Sequence, residues 1–244
     1  MVEYYKIEYQ TSNTRETLVE KGKTKREDKE KGEVHMQTCY LVGAAPGAVR
    51  IEKQPGDYVI AADGGLDHLE RWGLTPDFVV GDMDSLRGAL PEDVPYKRVP
   101  AEKDDTDMAL AFMEGYDRGQ RRFVLTGASG GRMDHTAANL QLLVKAAKRG
   151  AFALLRDEAC CVTALCREGE LRLHGKGTVS VFAYGDQAGG VSISGMQYCL
   201  DRETLCGDSP RGVSNALDGD GMITMESGTL LVFWEPGIEA LVNI

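Results

Sequence analysis

Short apolar runs, each of which breaks into a turn containing Gly or Asp, constrain the fold of this chain more than any other feature. They cover residues 39–45, 58–62, 78–80 and 123–125. Continuous apolar runs bounded by turn residues are typical of strands that are buried on both faces, as in a parallel sheet. Helical periodicity fills the gaps between the runs. The pattern therefore predicts an N-terminal α/β domain with a doubly wound, mostly parallel sheet.

Two helices of this domain can be located from the residues at their ends. Apolar residues recur at three- and four-residue steps between 137 and 147, and Gly150 follows as a C-terminal stop. Thr106 is suited to cap a second helix, whose apolar residues begin at Met108.

The pattern changes after residue 155. Alternation of period two replaces helical periodicity at 179–184 and 191–194, and residues 229–234 are a dense β-forming run. Turn residues recur between these segments. We therefore predict an α/β domain over residues 36–155, followed by a smaller all-β sandwich domain over residues 156–244.

Residues 1–35 differ from the rest of the chain. From residue 10 to residue 35 the only aliphatic side chains are Leu18, Val19 and Val34, in a tract rich in Lys and Glu. Such a tract cannot offset the entropy cost of ordering by burying apolar surface. We expect residues 1–35 to be a charged, disordered leader.

Charge and hydropathy exclude two classes of partner. The chain has 28 basic and 38 acidic residues, a formal charge of −10, which argues against binding nucleic acid through its phosphates. Residues 187–200 are uncharged but rich in Gly and Ser, and no stretch without Asp, Glu, Lys or Arg reaches the ~18–20 apolar residues of a membrane-spanning helix. The six cysteines form no CxxC pair, which is typical of free thiols in a reducing cytoplasm.

Four acidic clusters end predicted strands or begin predicted helices, at residues 62–65, 81–85, 103–107 and 132–135. Ligands of open α/β sheets bind outside the carboxyl ends of the strands, where these turns should meet. Two like charges about 4 Å apart cost ~4 kcal/mol at an effective dielectric constant near 20, so converging carboxylates need a cation. Oxygen ligands favour Mg²⁺ or Mn²⁺. The alternative is that each Asp caps a helix or forms a turn.

Two of these clusters have spacings that suit a shared ion. Asp82 and Asp84 are two residues apart in a short loop, and Asp104 and Asp107 are three apart at a helix start, so each pair can face one cleft. Lys103 beside the second pair could bind a phosphate or remain a solvated surface residue. A D-x-D pair also occurs in metal-dependent glycosyltransferases, which leaves that class as an alternative.

A glycine-rich loop over residues 126–132 follows a predicted strand and precedes a predicted helix. Such a loop offers backbone N–H groups and a helix N-terminus to an anion, and Arg132 adds a planar donor group. The loop matches neither a Walker A motif nor G-x-G-x-x-G. Residues 127–131 also fit G-x-S-x-G, so a serine hydrolase with Ser129 as nucleophile is a further alternative. His135 in the following helix is either a core or capping residue or a ligand contact.

A polar corner lies at residues 212–216 of the predicted β domain, where two small polar side chains follow a glycine. Either a plain turn or a site that recognises a heterocycle would explain it.

Taken together, these motifs resemble the thiamine pyrophosphokinase family over roughly residues 37–244. The resemblance rests on Ala-Asp-Gly-Gly at 62–65, Gly-Asp-Met-Asp-Ser at 81–85, Lys-Asp-x-Thr-Asp at 103–107, Gly-Gly-Arg-Met-Asp-His at 130–135 and Val-Ser-Asn at 213–215. It implies transfer of the pyrophosphoryl group of ATP to the hydroxyl of thiamine, which gives thiamine diphosphate and AMP. It also implies Mg²⁺ as cofactor and a homodimer with its active sites in a cleft between subunits.

The resemblance further implies a role for individual residues. The metal ligands would be Asp82, Asp84, Asp104 and Asp107. The catalytic residues would be Asp82, Asp84, Asp107 and Arg132. The nucleotide site would comprise Asp63, Gly64, Gly65, Lys103, Thr126, Gly127, Gly130, Gly131, Arg132, Asp134 and His135. Thiamine would contact Ser214 and Asn215.

Overall fold

A computed structural model describes residues 4–7, 37–82, 93–99 and 104–243 of the chain. Its α-helices are α1 (Leu66–Trp72), α2 (Asp107–Asp117) and α3 (Met133–Lys148). Its strands are β1 (Tyr4–Ile7), β2 (Cys39–Val42), β3 (Tyr58–Ala62), β4 (Phe78–Gly81), β5 (Tyr96–Arg98), β6 (Arg122–Thr126), β7 (Phe152–Arg156), β8 (Cys161–Cys166), β9 (Glu170–Ala183), β10 (Gln187–Met196), β11 (Leu200–Cys206), β12 (Asn215–Thr224), β13 (Thr229–Trp234) and β14 (Glu239–Asn243).

The N-terminal half contains the predicted parallel sheet. Its strands lie in the order β5-β4-β3-β2-β6-β7, and every neighbouring pair is parallel. The four apolar runs of the sequence are β2, β3, β4 and β6, so those strand predictions are confirmed. The chain moves outward from β2 to β5 on one side, then returns to β6 on the other side of β2.

Helices cover both faces of this sheet, as a doubly wound fold requires. On one face, α2 and α3 bury Phe112 and Leu143 against the strands, and the ring centroids of Phe112 and Phe123 are 4.6 Å apart. On the other face, Leu66 and Leu69 of α1 pack among the side chains of β2, β3 and β4. The Oγ1 of Thr106 accepts the Ala109 N–H, which confirms the predicted cap of α2.

The antiparallel strands continue this sheet without a break. β7 pairs with β8 in antiparallel fashion, and the order then runs β8-β13-β9-β12-β10-β11, with β14 also beside β9. Val124, Phe152 and Leu154 of the parallel part belong to the same core cluster as Val179 and Trp234. The structure is thus a single mixed sheet with few helices. The predicted boundary at residues 155–156 falls at the end of β7, inside continuous hydrogen bonding, because changes in periodicity do not reveal which strands pair.

Residues 4–7 differ from the expected disordered leader. They form β1, which pairs in antiparallel register with β14 from Tyr4 opposite Asn243 to Ile7 opposite Ala240. Tyr and Ile have high β-propensity, so this short stretch differs in character from the charged tract that follows it. Leader residues 1–3 and 8–35 lie outside the described part. None of the described helices has the length and apolar character that crossing a membrane requires.

Candidate active site

The carboxyl ends of the parallel strands bring three predicted site segments to one edge. Gly43 follows β2, Asp63 follows β3, Asp82 follows β4 and Gly127 follows β6. Because these strands are parallel, all four residues lie at the same edge of the sheet. The connections from β2 and β6 lead to opposite sides, and ligands of open α/β sheets bind at such a point, which we call the crevice.

Two loops form the floor of this crevice, and they touch through their backbones. The Gly43 N–H donates to the Thr126 carbonyl at 2.8 Å, and the Ala45 N–H donates to the Gly127 carbonyl at 3.0 Å. A Cβ on Gly43 would lie 2.5 Å from the Gly127 oxygen, and a Cβ on Gly127 would lie 2.3 Å from the Gly43 oxygen. Only residues without side chains allow this approach.

Asp63, at the end of β3, has an unusual backbone conformation and a buried side-chain oxygen. Its backbone has φ of 47°, a left-handed conformation that non-glycine residues rarely adopt. Its Oδ1 is buried and, within the described ranges, accepts no hydrogen bond. A Cβ on Gly81 would lie 3.0 Å from the Asp63 Cα, so Asp63 and the end of β4, where Asp82 begins, are in contact. A buried carboxylate oxygen without a donor, on a strained backbone, is typical of a ligand site.

The N-terminus of α2 reaches the same crevice. Asp107 is its first residue, and the neighbouring Met108 places its Cε 2.7 Å from the position of a Cβ on Gly43. Asp107 is half-buried and Asp104 is exposed. Asp63, Asp82 and Asp107 therefore lie at one edge of the sheet, and the convergence of their carboxylates on one ion stays a prediction.

A divalent cation at this edge would bind carboxylate oxygens. Across residues 37–82, 93–99 and 104–243, no group of three His, Cys, Asp or Glu side chains is arranged to hold a metal. Mg²⁺ in nucleotide sites commonly takes one or two protein carboxylates and completes its shell with water and phosphate oxygens. The unpartnered Oδ1 of Asp63 beside Asp82 fits such all-oxygen chemistry. The predicted ligand Asp84 and the predicted phosphate contact Lys103 lie outside the described residues.

The glycine-rich loop requires a correction. Its N–H groups were predicted to bind phosphate, but those of Gly127, Ala128 and Ser129 donate to the carboxylate of Asp157 at 2.8, 3.2 and 2.6 Å. The hydroxyl of Thr126 also faces Asp157 at 3.4 Å, while accepting the Val49 N–H at 2.7 Å. The Asp157 carboxylate thus occupies the turn at residues 127–129, whereas Gly130 and Gly131, also predicted as nucleotide contacts, are exposed.

Asp157 was missed by the sequence analysis because β7 was not recognised as a strand. It follows β7 directly, in the same position relative to its strand as Asp63 and Asp82. Burial raises the pKa of Asp157, and the hydrogen bonds from the loop oppose that shift. An acidic residue after a parallel strand was the signal that could have identified it.

Ser129 does not have the surroundings of a hydrolytic nucleophile. Its hydroxyl donates to Asp157 at 2.6 Å, and in the described part of the chain it has no histidine partner. In the triad of serine hydrolases, a histidine takes the proton of the nucleophilic serine. The serine-hydrolase alternative therefore loses its mechanism.

The start of α3 is exposed and internally paired. The Nε and Nη2 of Arg132 donate to the two carboxylate oxygens of Asp134 at 3.1 and 2.5 Å, and this contact holds the pKa of Asp134 at about 2. Asp134 also accepts the His135 N–H. The two residues predicted to contact nucleotide thus contact each other. His135 is exposed, so its interpretation as a core residue is wrong.

A buried histidine supports the crevice floor. The Nδ1 of His68 on α1 accepts a hydrogen bond from Arg71 at 2.8 Å, since a guanidinium group can only donate. The Nε2 of His68 therefore carries the proton and donates to the Ala45 carbonyl at 3.0 Å. Gly64 and Gly65, predicted as nucleotide contacts, are also buried, and Gly65 packs against the end of β2.

The polar corner at Ser214 and Asn215 lies where β12 begins. Ser214 has φ of 59°, and its N–H donates to the Ser180 hydroxyl. The side chain of Asn215 is buried and bonds both ways to the backbone of Tyr198: its Oδ1 accepts the N–H at 2.9 Å and its Nδ2 donates to the carbonyl at 2.7 Å. The contact of Asn215 with thiamine stays a prediction, and in the structure its amide holds the backbone of Tyr198, a residue that exposes 61% of its surface.

Comparison with known proteins points to one family. Residues 52–154 match the family model "Thiamin pyrophosphokinase, catalytic domain", and residues 170–230 match "Thiamin pyrophosphokinase, vitamin B1 binding domain". The thiamine pyrophosphokinase of Bacillus subtilis is 27% identical over 182 residues, which cover 71% of this chain and 85% of that protein.

Solved structures have the same fold. The crystal structure of the Bacillus subtilis thiamine pyrophosphokinase has a TM-score of 0.73 at 22% identity, covering 82% of this chain and 99% of that chain. The structure of the thiamin pyrophosphokinase from Geobacillus thermodenitrificans has a TM-score of 0.70 at 24% identity, covering 82% and 97%. With both family models matched in order along the mixed sheet, this chain belongs to the thiamin pyrophosphokinase family of enzymes.

Proposed function

We propose that this chain transfers the pyrophosphoryl group of ATP to the hydroxyl of thiamine, with Mg²⁺ as cofactor, and releases AMP and thiamine diphosphate. Family membership supports the activity of a thiamine diphosphokinase. The observation that carries the ATP and Mg²⁺ part is the meeting of Asp63, Asp82 and the N-terminus of α2 at one crevice, where none of the described residues donates to the buried Oδ1 of Asp63.

The proposed chemistry asks the protein mainly to align two substrates and to neutralise charge. Mg²⁺, when bound, would offset the negative charge of the ATP phosphates. Asp82, Asp84, Asp104 and Asp107 would hold it. Arg132, exposed at the start of α3, would exchange its contact with Asp134 for one with the transferred group. Removal of the hydroxyl proton of thiamine falls to a carboxylate at the same edge.

An acidic crevice also suits the acceptor. The thiazolium ring of thiamine carries a positive charge, so a cluster of carboxylates raises its local concentration. The chain as a whole is acidic, with a formal charge of −10. Electrostatic attraction therefore acts on thiamine, while a bound cation would screen the repulsion between these carboxylates and ATP.

Tyr198 and the corner at Ser214 are proposed to bind the thiamine rings. Tyr198 is largely exposed to solvent, and the Asn215 amide bonds to both its backbone N–H and its carbonyl. A rigid aromatic ring binds flat heterocycles by stacking and cations through its π face. We further propose that two copies of the chain form a homodimer, with each active site between the α/β part of one subunit and this corner of the other.

The compartment proposed for the reaction is the cytoplasm. All six cysteines lie in the described part of the chain and are free thiols. Cys199 and Cys206 are exposed, which suits a reducing environment.

The proposed reaction is tested by incubating the purified protein with ATP, Mg²⁺ and thiamine and separating the products by chromatography. We expect equal amounts of AMP and thiamine diphosphate, and neither product when Mg²⁺ is chelated. ADP with thiamine monophosphate would contradict the proposal. A D-x-D glycosyltransferase would instead release UDP from a UDP-sugar, but none of the observations favours that class.

Tyr198→Ala is expected to raise KM for thiamine about fivefold to thirtyfold, since stacking and cation–π contacts together contribute roughly 1–2 kcal/mol. KM for ATP should not change. The matched control is Tyr96→Ala, which removes another exposed tyrosine, on the edge strand β5. A wild-type KM for thiamine in Tyr198→Ala would remove the tyrosine from the site.

A further inference from the structure

Asp157 contacts both loops of the crevice although it lies beyond them in the sequence. It is 2% exposed, and its carboxylate accepts hydrogen bonds from three successive N–H groups and from the Ser129 hydroxyl. We propose that Asp157 is a positioning residue that sets the shape of the nucleotide crevice by filling the anion-binding turn of the glycine-rich loop. The inference rests on the proposed function, because it takes the crevice to be the ATP site.

The turn that carries Asp157 also holds the second loop. The Glu158 N–H donates to the Gly47 carbonyl at 2.9 Å, and Ala48 forms an isolated antiparallel bridge with Asp157. The Asp157 N–H donates to the Cys160 carbonyl, which closes the turn after β7. Both loops at the ends of β2 and β6 are thus fixed from the start of the antiparallel part of the sheet.

Only an anion can satisfy this arrangement. Three backbone N–H groups and one hydroxyl converge on two oxygens, so the occupant must accept hydrogen bonds on both. A carboxylate accepts on both oxygens, whereas the amide of Asn has one oxygen and one donor group. In an Asp157→Asn variant, at least one N–H group of the loop would face an N–H₂ group and would have to move.

The turn at Gly127–Ser129 is consequently not available to phosphate. The successive N–H groups of this turn resemble a phosphate site in the sequence. The carboxylate of Asp157 binds them instead and keeps the loop in one conformation before ATP binds. A preformed crevice spares the substrate the entropy cost of ordering the loop. Loss of the carboxylate should therefore weaken ATP binding more than it weakens thiamine binding.

The test compares Asp157→Asn with Asp57→Asn. Asp57 is also buried and accepts two backbone N–H groups, from Thr38 and Gln54 at 2.8 Å each, but it precedes β3 at the opposite edge of the sheet. Both variants are expected to melt at a lower temperature. Only Asp157→Asn should raise KM for ATP, by about tenfold or more, with KM for thiamine unchanged.

Equilibrium binding of ATP, measured by calorimetry without thiamine, provides a second readout and should show the same loss of affinity. If Asp157→Asn does not fold, Ser129→Ala decides the question, because it removes only the hydroxyl bond to Asp157. That variant is expected to raise KM for ATP by roughly threefold or more. Equal KM values for ATP in Asp57→Asn and Asp157→Asn, or a wild-type KM for ATP in Ser129→Ala, would overturn the inference.

The outcomes also separate this inference from the proposed function. A wild-type protein that makes no AMP from ATP and thiamine would refute the function itself. A wild-type protein that is active, with variants whose ATP constants are normal, would refute only the role of Asp157.

Discussion

Asp82→Asn is expected to give a folded protein whose turnover of ATP and thiamine is about 10²–10³-fold lower, a loss of roughly 3–4 kcal/mol of transition-state stabilisation. Asp82 follows β4 at the crevice edge, next to Asp63, whose buried Oδ1 accepts no hydrogen bond from the described part of the chain. The amide keeps the size of the side chain but removes its charge, so a cation held there would lose a ligand. Steady-state kinetics with saturating Mg²⁺, together with circular dichroism of the variant, measures this effect.

The matched control is Asp77→Asn, because Asp77 and Asp82 flank the same strand at opposite ends. Asp77 precedes β4, accepts the Val59 N–H at 2.7 Å and forms an ion pair with Lys53. Its loss affects a partly exposed ion pair at the amino edge, and such pairs contribute about 0–1 kcal/mol to stability. Turnover by Asp77→Asn should therefore remain close to that of the wild type. Comparable turnover in the two variants would exclude Asp82 from the chemistry.

The sequence identified the elements whose signals are local. Runs of apolar residues revealed β2, β3, β4 and β6, because strands buried on both faces are apolar over most of their length. β5 was missed because Tyr96–Arg98 is an exposed edge strand without an apolar run. β7 was missed because it begins directly after the turn that ends α3.

The sequence predicted where the site residues lie along the sheet better than it predicted which groups they contact. Acidic residues at strand ends correctly indicated the crevice edge, since parallel strands end together. The hydrogen-bond partners of the polar groups could not be predicted from the sequence, because these hydrogen bonds join residues far apart in the chain. The loop at Gly127 meets Asp157, and Asn215 meets the backbone of Tyr198. Both sets of polar groups seemed available to ligands in the sequence and are used within the fold.

Gly65→Ala is expected to lower the free energy of unfolding by about 3 kcal/mol, because the added methyl group overpacks a backbone contact. A Cβ on Gly65 would lie 1.9 Å from the Val42 carbonyl oxygen and 3.1 Å from the Gly43 nitrogen. These are backbone atoms of β2 and of the crevice floor, so no flexible side chain can move aside. Thermal unfolding should occur roughly 6–12 °C below the wild-type midpoint, and KM for ATP should rise because the crevice floor shifts.

Gly73→Ala separates this steric effect from the general cost of replacing a glycine. Gly73 ends α1 with φ of 68°, and a Cβ there would meet no atom within 4 Å. That variant bears only the left-handed strain of about 1–2 kcal/mol, and its KM for ATP should equal that of the wild type. If Gly65→Ala were as stable and as active as Gly73→Ala, the turn after β3 would not pack against β2. The glycines at 64–65 would then be explained by contact with the nucleotide, as the sequence alone suggested.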